Sequence, residues 1–280
     1  MQANRNDFLT GVLLLVLLGG GVDGLHAAPT EPPTLGRFER QVDGLDESRA
    51  IAIRPNGSVV VVDARGRIEA VEGVDAATPP PGGCLDIAID GEDRWFLLGD
   101  RDVQRRDGGG DLAWSTKIGG GAVGSGGGLV WVVDDVGGLH GLDVETGEPR
   151  QSGRTAYPGC RGIVGLADGG AWLADTDRHR LVRIDATGAE VRTIGDRGAF
   201  PGLFNTPVDL AVAGDRLFVA DKLNHRISVH RLDDAAFLDQ WGMHAVVPRE
   251  GDGRVHYPEG VAVTPDGTRA FVLEPFERRY

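Results

Sequence analysis

Charged side chains stand at the start of five short apolar runs that are spread along the chain. They are Arg49, Asp86, Arg161, Asp209 and Glu259. If the runs are strands gathered around one axis, these charges converge at one end of that axis. Guanidinium and carboxylate groups that converge in a funnel could bind a polar ligand, and the carboxylates could bind Ca²⁺. The alternative is that the charges pair with one another or are solvated, in which case they bind nothing.

A metal ion is a second option at the same end of these runs. Side chains there with suitable oxygen or nitrogen atoms are Asp86, Asn205, Asp209, His256 and Glu259. Zn²⁺ needs three or four nitrogen or sulfur ligands that converge at about 2.0–2.3 Å. The positions that correspond to His256 in the two preceding repeats hold Asn205 and Pro158, so the sequence predicts no ring of histidines. We therefore assign no catalytic residue and no firm cofactor, and Ca²⁺ remains an open candidate.

The apolar runs belong to an internal repeat. The segment GAWLADTDRHRLVRID at 170–185 matches DRLFVADKLNHRISVHRL at 215–232, and PEGVAV at 258–263 matches PVDLAV at 207–212. An acidic residue ends the second run of each unit, and these residues are Asp63, Asp100, Asp134, Asp175, Asp221 and Glu274. A period of roughly 40 residues with several short strands per unit is typical of propeller blades. No amphipathic helix pattern follows residue 30, so the sequence predicts an all-β fold.

The segment around 202–227 resembles the NHL repeat. The residues that carry the resemblance are Gly202, Phe204, Pro207, Ala211, Val212, Val219, Ala220, Asp221, Asn224, His225, Arg226 and Ile227. The likeness is specific over residues 160–280 and is one of pattern alone over 48–150. It implies a six-bladed β-propeller that serves as a scaffold for binding a protein, peptide or glycan on one face.

The same resemblance leaves an enzyme open. NHL-like propellers include an amidating lyase whose zinc is held by histidines, and a lactonase-like propeller would hold one divalent cation with a Glu, an Asn and two Asp. Glu259, Asn205, Asp209 and Asp86 are of those types. The alternative function is therefore a metal-dependent (Ca²⁺ or Zn²⁺) lyase or lactonase-like hydrolase with its site at the funnel, and we favour the binding scaffold.

The repeat motif itself predicts a structural role. Its residues are Asp175, His179, Arg180, Asp221, Asn224, His225 and Arg226. An Asp at the end of the second strand can accept hydrogen bonds from the next turn, and the Arg of the returning strand can form an ion pair with it. The Asn suits a left-handed turn position. We expect these residues to fold the hairpin and not to catalyse a reaction.

Two segments are expected to be irregular. The last repeat stops after two strands of its own, so the sequence predicts a short final blade that is closed by residues 35–42 (LGRFERQV), antiparallel to its last strand. The run GGGAVGSGGG at 119–128 lacks the Lys-Ser/Thr ending of a phosphate-binding loop, and we expect it to form turns around a poor strand.

The N-terminus has the layout of an export signal. Arg5 precedes an apolar run at 8–22, and small residues follow at Ala27 and Ala28. We predict residues 1–27 to be a signal peptide, or an uncleaved anchor, followed by a Pro-rich linker at 28–34 and the propeller at 35–280. The mature protein would then be periplasmic or secreted, or held at the membrane through 8–22.

The net charge limits the classes of partner that are expected, and the two cysteines raise the question of a disulfide. The formal net charge is −13, and an acidic chain repels a phosphate backbone, so nucleic acid is not an expected partner. A membrane contact is expected through the N-terminal segment alone. Cys84 and Cys160 occupy corresponding positions of two repeats that are not neighbours, and the sequence does not decide whether they pair.

Overall fold

The computed structural model describes residues 48–71, 83–153, 156–242 and 255–274, together with the backbone of two strands further upstream, at 11–17 and 37–45. All strand pairs within its sheets are antiparallel. The helices among these residues are two short 3₁₀ turns, Thr176–Arg178 and Lys222–Asn224. The expectation of an all-β propeller is confirmed.

The strands are numbered in chain order, and each sheet is named after its place in the chain. The two upstream strands are β1 (Gly11–Leu17) and β2 (Arg37–Leu45). Sheet I has β3 (Ala50–Ile53), β4 (Val59–Val62) and β5 (Ile68–Ala70). Sheet II has β6 (Cys84–Ile89), β7 (Trp95–Gly99), β8 (Val103–Arg106) and β9 (Leu112–Thr116). Sheet III has β10 (Ala122–Gly126), β11 (Leu129–Val133), β12 (Leu139–Asp143) and β13 (Pro149–Ser152).

The remaining strands complete three more sheets. Sheet IV has β14 (Gly162–Gly165), β15 (Ala171–Asp175), β16 (Arg180–Ile184) and β17 (Glu190–Ile194). Sheet V has β18 (Pro207–Ala213), β19 (Arg216–Asp221), β20 (Arg226–Arg231) and β21 (Phe237–Trp241). Sheet VI combines β22 (Gly260–Val263) and β23 (Arg269–Glu274) with β1 and β2. Sheets I to V thus consist of consecutive strands, and sheet VI joins the two ends of the chain.

The second strand of each sheet is buried on both faces. The run VVVV of β4 and the run AWLAD of β15 are buried at every position. A strand with two buried faces reads as a continuous apolar run, whereas the outer strand β17, EVRTI, is largely exposed and polar. The apolar cores lie between adjacent sheets, as where Trp131 of sheet III packs with Leu173 of sheet IV. Radial stacking of the sheets therefore follows from the burial pattern.

The first strands of the sheets surround a common axis. β3 contacts β6, β6 contacts β10, β10 contacts β14, β14 contacts β18, β18 contacts β22, and β22 returns to β3. Each first strand begins where the second strand ends; for example, Pro207 of β18 pairs with Asp221 of β19. The segments that lead into the first strands and the turns after the second strands therefore lie on one side of the ring. We call this side the funnel face.

The glycine run at 119–128 forms a regular strand, so the expectation of a poor strand there is wrong. Its strand β10 pairs with β11 over its whole length. The glycines are needed for close approach: a Cβ on Gly124 would lie 2.5 Å from the carbonyl oxygen of Ile163 in sheet IV, and a Cβ on Gly165 would lie 2.3 Å from the backbone of Ser125. Glycine here lets two neighbouring innermost strands touch.

The closure of sheet VI differs from the expectation in one strand. The sheet order is β2-β1-β23-β22. The apolar segment β1 pairs with the last strand, with Leu13 opposite Leu273, and β2 pairs with β1. Residues 35–42 were expected to pair with β23 directly, and that is wrong, because the more apolar β1 takes this place. The sheet accordingly has four strands and is not short.

The predicted signal or anchor segment 8–22 overlaps β1, and the linker 28–34 lies outside the described residues. Within the described part of the chain, no helix combines the length and the apolar character needed to cross a bilayer.

The two upstream strands are expected to stabilise the ring. A chain that starts at Ser48 lacks β1 and β2, so the apolar edge of β23 is left unpaired. We expect its free energy of unfolding to fall by several kcal/mol and the shortened chain to aggregate. Urea unfolding and size-exclusion chromatography measure both effects.

A chain that starts at Ala28 is the informative comparison, because it keeps β2 without β1. A stability close to that of the full chain would mean that β2 can take the place of β1 beside β23. A monomeric chain starting at Ser48 with unchanged unfolding would contradict a stabilising role for either strand.

Candidate functional site

A funnel-shaped cavity of about 560 Å³ opens at the centre of the funnel face. Its lining residues are Ser48, Arg49, Ala64, Leu85, Asp86, Gly120, Gly121, Asp135, Arg161 and Glu259. Four of the five residues expected at the funnel line this cavity, and Asp209 does not. The cavity carries charges of both signs and few apolar side chains, so the group it fits best is polar.

The strand geometry explains why Asp209 is absent from the cavity. Successive side chains of a strand alternate between its two faces. Arg49, Arg161 and Glu259 each stand directly before the first residue of β3, β14 and β22 respectively. Asp209 stands one position further along, beside the narrower channel below the funnel. Asp86 holds the equivalent inner position and borders both spaces.

The two arginines of the cavity are exposed. The Nη2 of Arg49 donates to the carbonyl oxygen of Ala64 at 2.7 Å. The Nη2 of Arg161 lies 3.4 Å from Glu259, and 52% of the Arg161 side chain is exposed. Sheets I and IV are three places apart around the ring, so the two guanidinium groups approach the funnel from opposite sides. They are free to face a ligand with most of their donors.

Glu259 has an ionic partner on each side. Its Oε1 forms an ion pair with Lys222 of sheet V, and its Oε2 faces Arg161 of sheet IV. The carboxylate is 9% exposed. The alternative that the funnel charges pair with one another therefore holds for Glu259. Sequence reasoning did not single out Lys222, although Lys222 and Lys117 are the only two lysines of the sequence.

Asp86 and Asp209 join neighbouring sheets. Asp86 of β6 accepts hydrogen bonds at 2.8 Å from the backbone N–H of Ile87 and from that of Val123 in sheet III. Asp209 of β18 does the same with Leu210 and with Val261 in sheet VI, also at 2.8 Å. Each carboxylate therefore links its own strand to the first strand of the next sheet.

Both carboxyl groups border a channel of about 160 Å³ whose other walls are largely apolar. Burial raises the pKa of Asp209 to about 8, against the hydrogen bond from Val261, and the nearby charges of Asp86 and Glu259 raise it further. Burial raises the pKa of Asp86 to about 6. Carboxyl groups that titrate near neutral pH in a cavity are typical of functional sites, although a structural link can produce the same shift.

The remaining metal candidates do not complete a ligand set. The backbone N–H of Asn205 donates to Asp221 at 2.7 Å, and the Asn205 Oδ1 is buried without a partner. The N–H of His256 donates to Glu274 at 2.5 Å, and its ring lies 6.4 Å from the ring of His225. In the described segments, no three His, Cys, Asp or Glu side chains converge as a metal ion would need.

The repeat motif forms the hairpin contacts expected of it. In sheet IV, Asp175 accepts from Arg180 Nε at 2.7 Å, and in sheet V, Asp221 accepts from Arg226 Nε at 2.8 Å. Asp175 and Asp221 are fully buried. Burial raises the pKa of Asp221, against the hydrogen bonds that it accepts. Both carboxylates are engaged by neighbouring groups of this chain, so they are not open to a ligand.

The left-handed position of the turn belongs to the histidine, and the assignment to the asparagine is wrong. His179 has φ +54° and His225 has φ +53°. The Nδ1 of His179 accepts from the N–H of Thr206 at 2.9 Å, which ties the turn to the segment before β18. Asn224 instead lies in the 3₁₀ turn, where its amide donates to Asp221 at 2.7 Å.

The two cysteines are unpaired. Each thiol donates to the carbonyl oxygen two residues further on, Cys84 to Asp86 at 3.2 Å and Cys160 to Gly162 at 3.4 Å. Burial raises the pKa of Cys160 to about 12 and raises the pKa of Cys84 as well. Both thiols therefore act as structural groups, Cys84 at the first residue of β6 and Cys160 two residues before β14.

Comparisons with known proteins agree on the fold. A structure of a protein of unknown function from Bacteroides thetaiotaomicron VPI-5482 superposes with a TM-score of 0.64 at 15% identity, over 94% of this chain and 76% of that one. A streptogramin B lyase structure superposes with a TM-score of 0.54 at 13% identity, over 82% of this chain and 93% of that one. No family model matches the sequence, and no curated protein matches it. The similarity shows a propeller fold.

The buried carboxylate of the sheet V motif is expected to be a stability residue. Asp221→Ala leaves the guanidinium of Arg226 buried without its counter-charge, and we expect the free energy of unfolding to fall by about 3–5 kcal/mol. The matched control is Asp168→Ala, whose side chain is 65% exposed and should change stability by less than about 1 kcal/mol. Urea unfolding measures the free energy of unfolding of both variants. An Asp221→Ala variant that unfolds like the wild type would refute the structural role of Asp221.

The raised pKa of Asp209 predicts that the stability of the fold depends on pH. Its folded pKa of about 8 lies above its ordinary value of 3.8, so its stabilising contribution is fully present below about pH 4 and is lost as the pH rises through about 8. In Asp209→Asn this loss should disappear, whereas Asp168→Asn should keep the wild-type dependence. Unfolding curves at pH 4 to 9 measure the slope, and an unchanged slope in Asp209→Asn would show that Asp209 is not the group responsible.

Proposed function

We propose that this chain is an NHL-type β-propeller of six blades that binds a protein, peptide or glycan ligand on its funnel face. The sixth blade in this proposal is sheet VI. The observation that carries the binding role is the funnel cavity, about 560 Å³ in volume and lined by charges of both signs. A cavity of this size lies within the range of about 300–1,000 Å³ that is typical of small-molecule pockets, so it can admit a small polar ligand or a short part of a larger one.

The two arginines are the groups that would hold the ligand. Arg49 and Arg161 are exposed, whereas Glu259 is engaged by Lys222, and Asp86 is engaged by backbone N–H groups. The exposed charged side chains of the lining are those of Arg49, Arg161 and Asp135, so guanidinium donors outnumber free carboxylates there. Such donors favour a ligand group with a carboxylate or another oxygen-rich acceptor.

A second candidate function is a metal-dependent lyase or lactonase-like hydrolase. The observation that favours it is the pair of channel carboxyl groups, Asp86 and Asp209, with pKa values of about 6 and about 8. Groups that titrate near neutral pH can act as general acids or bases. A Ca²⁺ or Zn²⁺ ion would have to be held with Asn205, His256 or Glu259. We favour the binding role, because the oxygens of both aspartates already accept backbone hydrogen bonds.

We further propose that the protein is exported, either secreted or periplasmic, or held at a membrane through residues 8–22. This proposal rests on the signal-like order of residues 1–28. It has a structural implication, since cleavage near Ala28 would remove β1 from sheet VI.

A microarray of peptides and oligosaccharides tests the binding role. Labelled wild-type chain should bind a restricted set of spots, and the double variant Arg49→Gln/Arg161→Gln should lose at least about tenfold in affinity for them, which is a change of about 1.4 kcal/mol. The control is Arg150→Gln on the outer strand β13, with 59% of its side chain exposed.

Three results would count against the binding role. They are an array without reproducible spots, equal binding by the double variant, and turnover of lactones or esters that is lost with a chelator and restored by Ca²⁺ or Zn²⁺. Metal-dependent turnover would support the lyase or hydrolase in place of the binding scaffold.

A further inference from the structure

One loop of the funnel face presents an exposed aromatic ring. Phe200 is 77% exposed, which makes it the most exposed of the large apolar side chains that the structure describes. It opens a tight turn: the N–H of Leu203 donates to the carbonyl oxygen of Phe200 at 3.0 Å, and Gly202 has φ +81°. Pro201 and Gly202 are the residues that a type II turn prefers at its two central positions.

The loop is held rigidly from below by the motif of sheet V. Arg226 is 2% exposed, and its guanidinium donates to the carbonyl oxygens of Ala199 at 2.9 Å and Leu203 at 2.6 Å. Asn224 donates to the carbonyl oxygen of Gly198 at 2.8 Å. Both donors are themselves anchored on Asp221. The residues that build the hairpin therefore also fix the loop that carries Phe200.

A rigid exposed aromatic ring is a typical binding anchor. Aromatic residues are over-represented among the side chains that contribute most to protein interfaces. A loop that is already ordered loses little conformational entropy when it binds. Sequence reasoning included Gly202 and Phe204 in the repeat pattern but did not assign a role to Phe200, although the letters FPG mark a turn with an aromatic residue at its start.

Further apolar side chains stand on the same face beside this loop. Leu223, in the 3₁₀ turn after β19, and Tyr257, before β22, are each 40% exposed. The Tyr257 ring packs edge-on against His225, with the ring centres 4.3 Å apart. Leu223 is tied to the segment before β18 through a hydrogen bond to Asn205 at 3.0 Å. The turn at 222–225 thus lies between the Phe200 loop and Tyr257.

This apolar rim continues into the charged funnel. Lys222, next to Leu223, forms an ion pair with Glu259, and Glu259 faces Arg161. The face therefore presents apolar side chains on sheets V and VI and exposed guanidinium groups toward the axis. A complementary partner would bring apolar side chains together with a negative group.

We infer that the funnel face binds an extended peptide segment of a partner protein in which apolar side chains flank an acidic one. The apolar side chains of the peptide pack on Phe200, Leu223 and Tyr257. Its carboxylate points into the funnel toward Arg161 and Arg49. This inference rests on the binding role proposed above and selects the peptide from among the ligand classes named there.

The same contacts argue against the other ligand classes. A glycan that stacks on an aromatic ring needs polar groups beside the ring to bind its hydroxyls, and the nearest carbonyl oxygens, those of Gly198, Ala199 and Leu203, are engaged by Asn224 and Arg226. The exposed polar side chains of this loop, Asp196 and Arg197, stand further back along the chain. Leu223, next along the rim, is aliphatic and offers no polar side-chain atom. A nucleic acid would meet a chain of formal charge −13.

Selection from a display library of random seven-residue peptides tests the inference on the full chain. The enriched peptides should share an acidic residue between apolar ones. For a fluorescein-labelled peptide of that pattern, Phe200→Ala should raise the Kd at least about tenfold, and so should Arg161→Gln. Val191→Ala, at an apolar residue that is 58% exposed on the outer strand β17, should change the Kd less than twofold.

The outcomes separate this inference from the broader proposal. Selected peptides whose Kd depends on Arg161 but not on Phe200 would overturn the apolar anchor and leave the funnel as a binding site. Failure to enrich any such pattern, with oligosaccharides that bind in an Arg161-dependent way, would overturn the peptide and keep the binding role. Peptides whose Kd is unchanged in both variants would remove this face from consideration altogether.

Discussion

The buried ion pair between Asp221 and Arg226 organises sheet V and the loop that leads into it. Both side chains are at most 2% exposed. A pair taken out of water stabilises a fold only when the other donors and acceptors of both partners are also satisfied. Here Asp221 also accepts from Asn205 and Asn224, and Arg226 also donates to Gln240 and to the loop before β18. One carboxylate thus holds together a hairpin, a turn and a surface loop.

Two other carboxylates stabilise the ring by linking adjacent sheets. Asp86 and Asp209 each accept the backbone N–H of the next first strand, at corresponding positions of sheets II and V. The corresponding position is glycine in sheet IV, at Gly162, where a Cβ would lie 2.7 Å from the carbonyl oxygen of Val208. Sheets II and V thus meet the next sheet through a carboxylate, and sheet IV meets sheet V through the absence of a side chain.

The sequence predicted local contacts better than long-range ones. The Asp–Arg hairpin pairs and the all-β fold follow from residues close in the chain and from a repeated pattern. The left-handed histidine was missed because Asn is the usual residue there, and here the Asn224 side chain bonds to Asp221 instead. The role of β1 was missed because an apolar run near a start methionine has the same composition whether it is a leader or a strand. Asp209 was placed in the funnel because a one-residue shift along a strand is hard to read without the sheet.

The pairing of β1 with β23 also sets an order of events in folding. Leu13 faces Leu273, some 260 residues later in the chain. β1 is synthesised before sheets I to V and β23 after them, so sheet VI can assemble only when those five sheets have been made. Contacts of such large sequence separation form slowly, and until they form, β1 lacks the partner strand β23 that it has in the folded chain. Any protein that binds β1 before β23 has been made therefore competes directly with the closing of the ring.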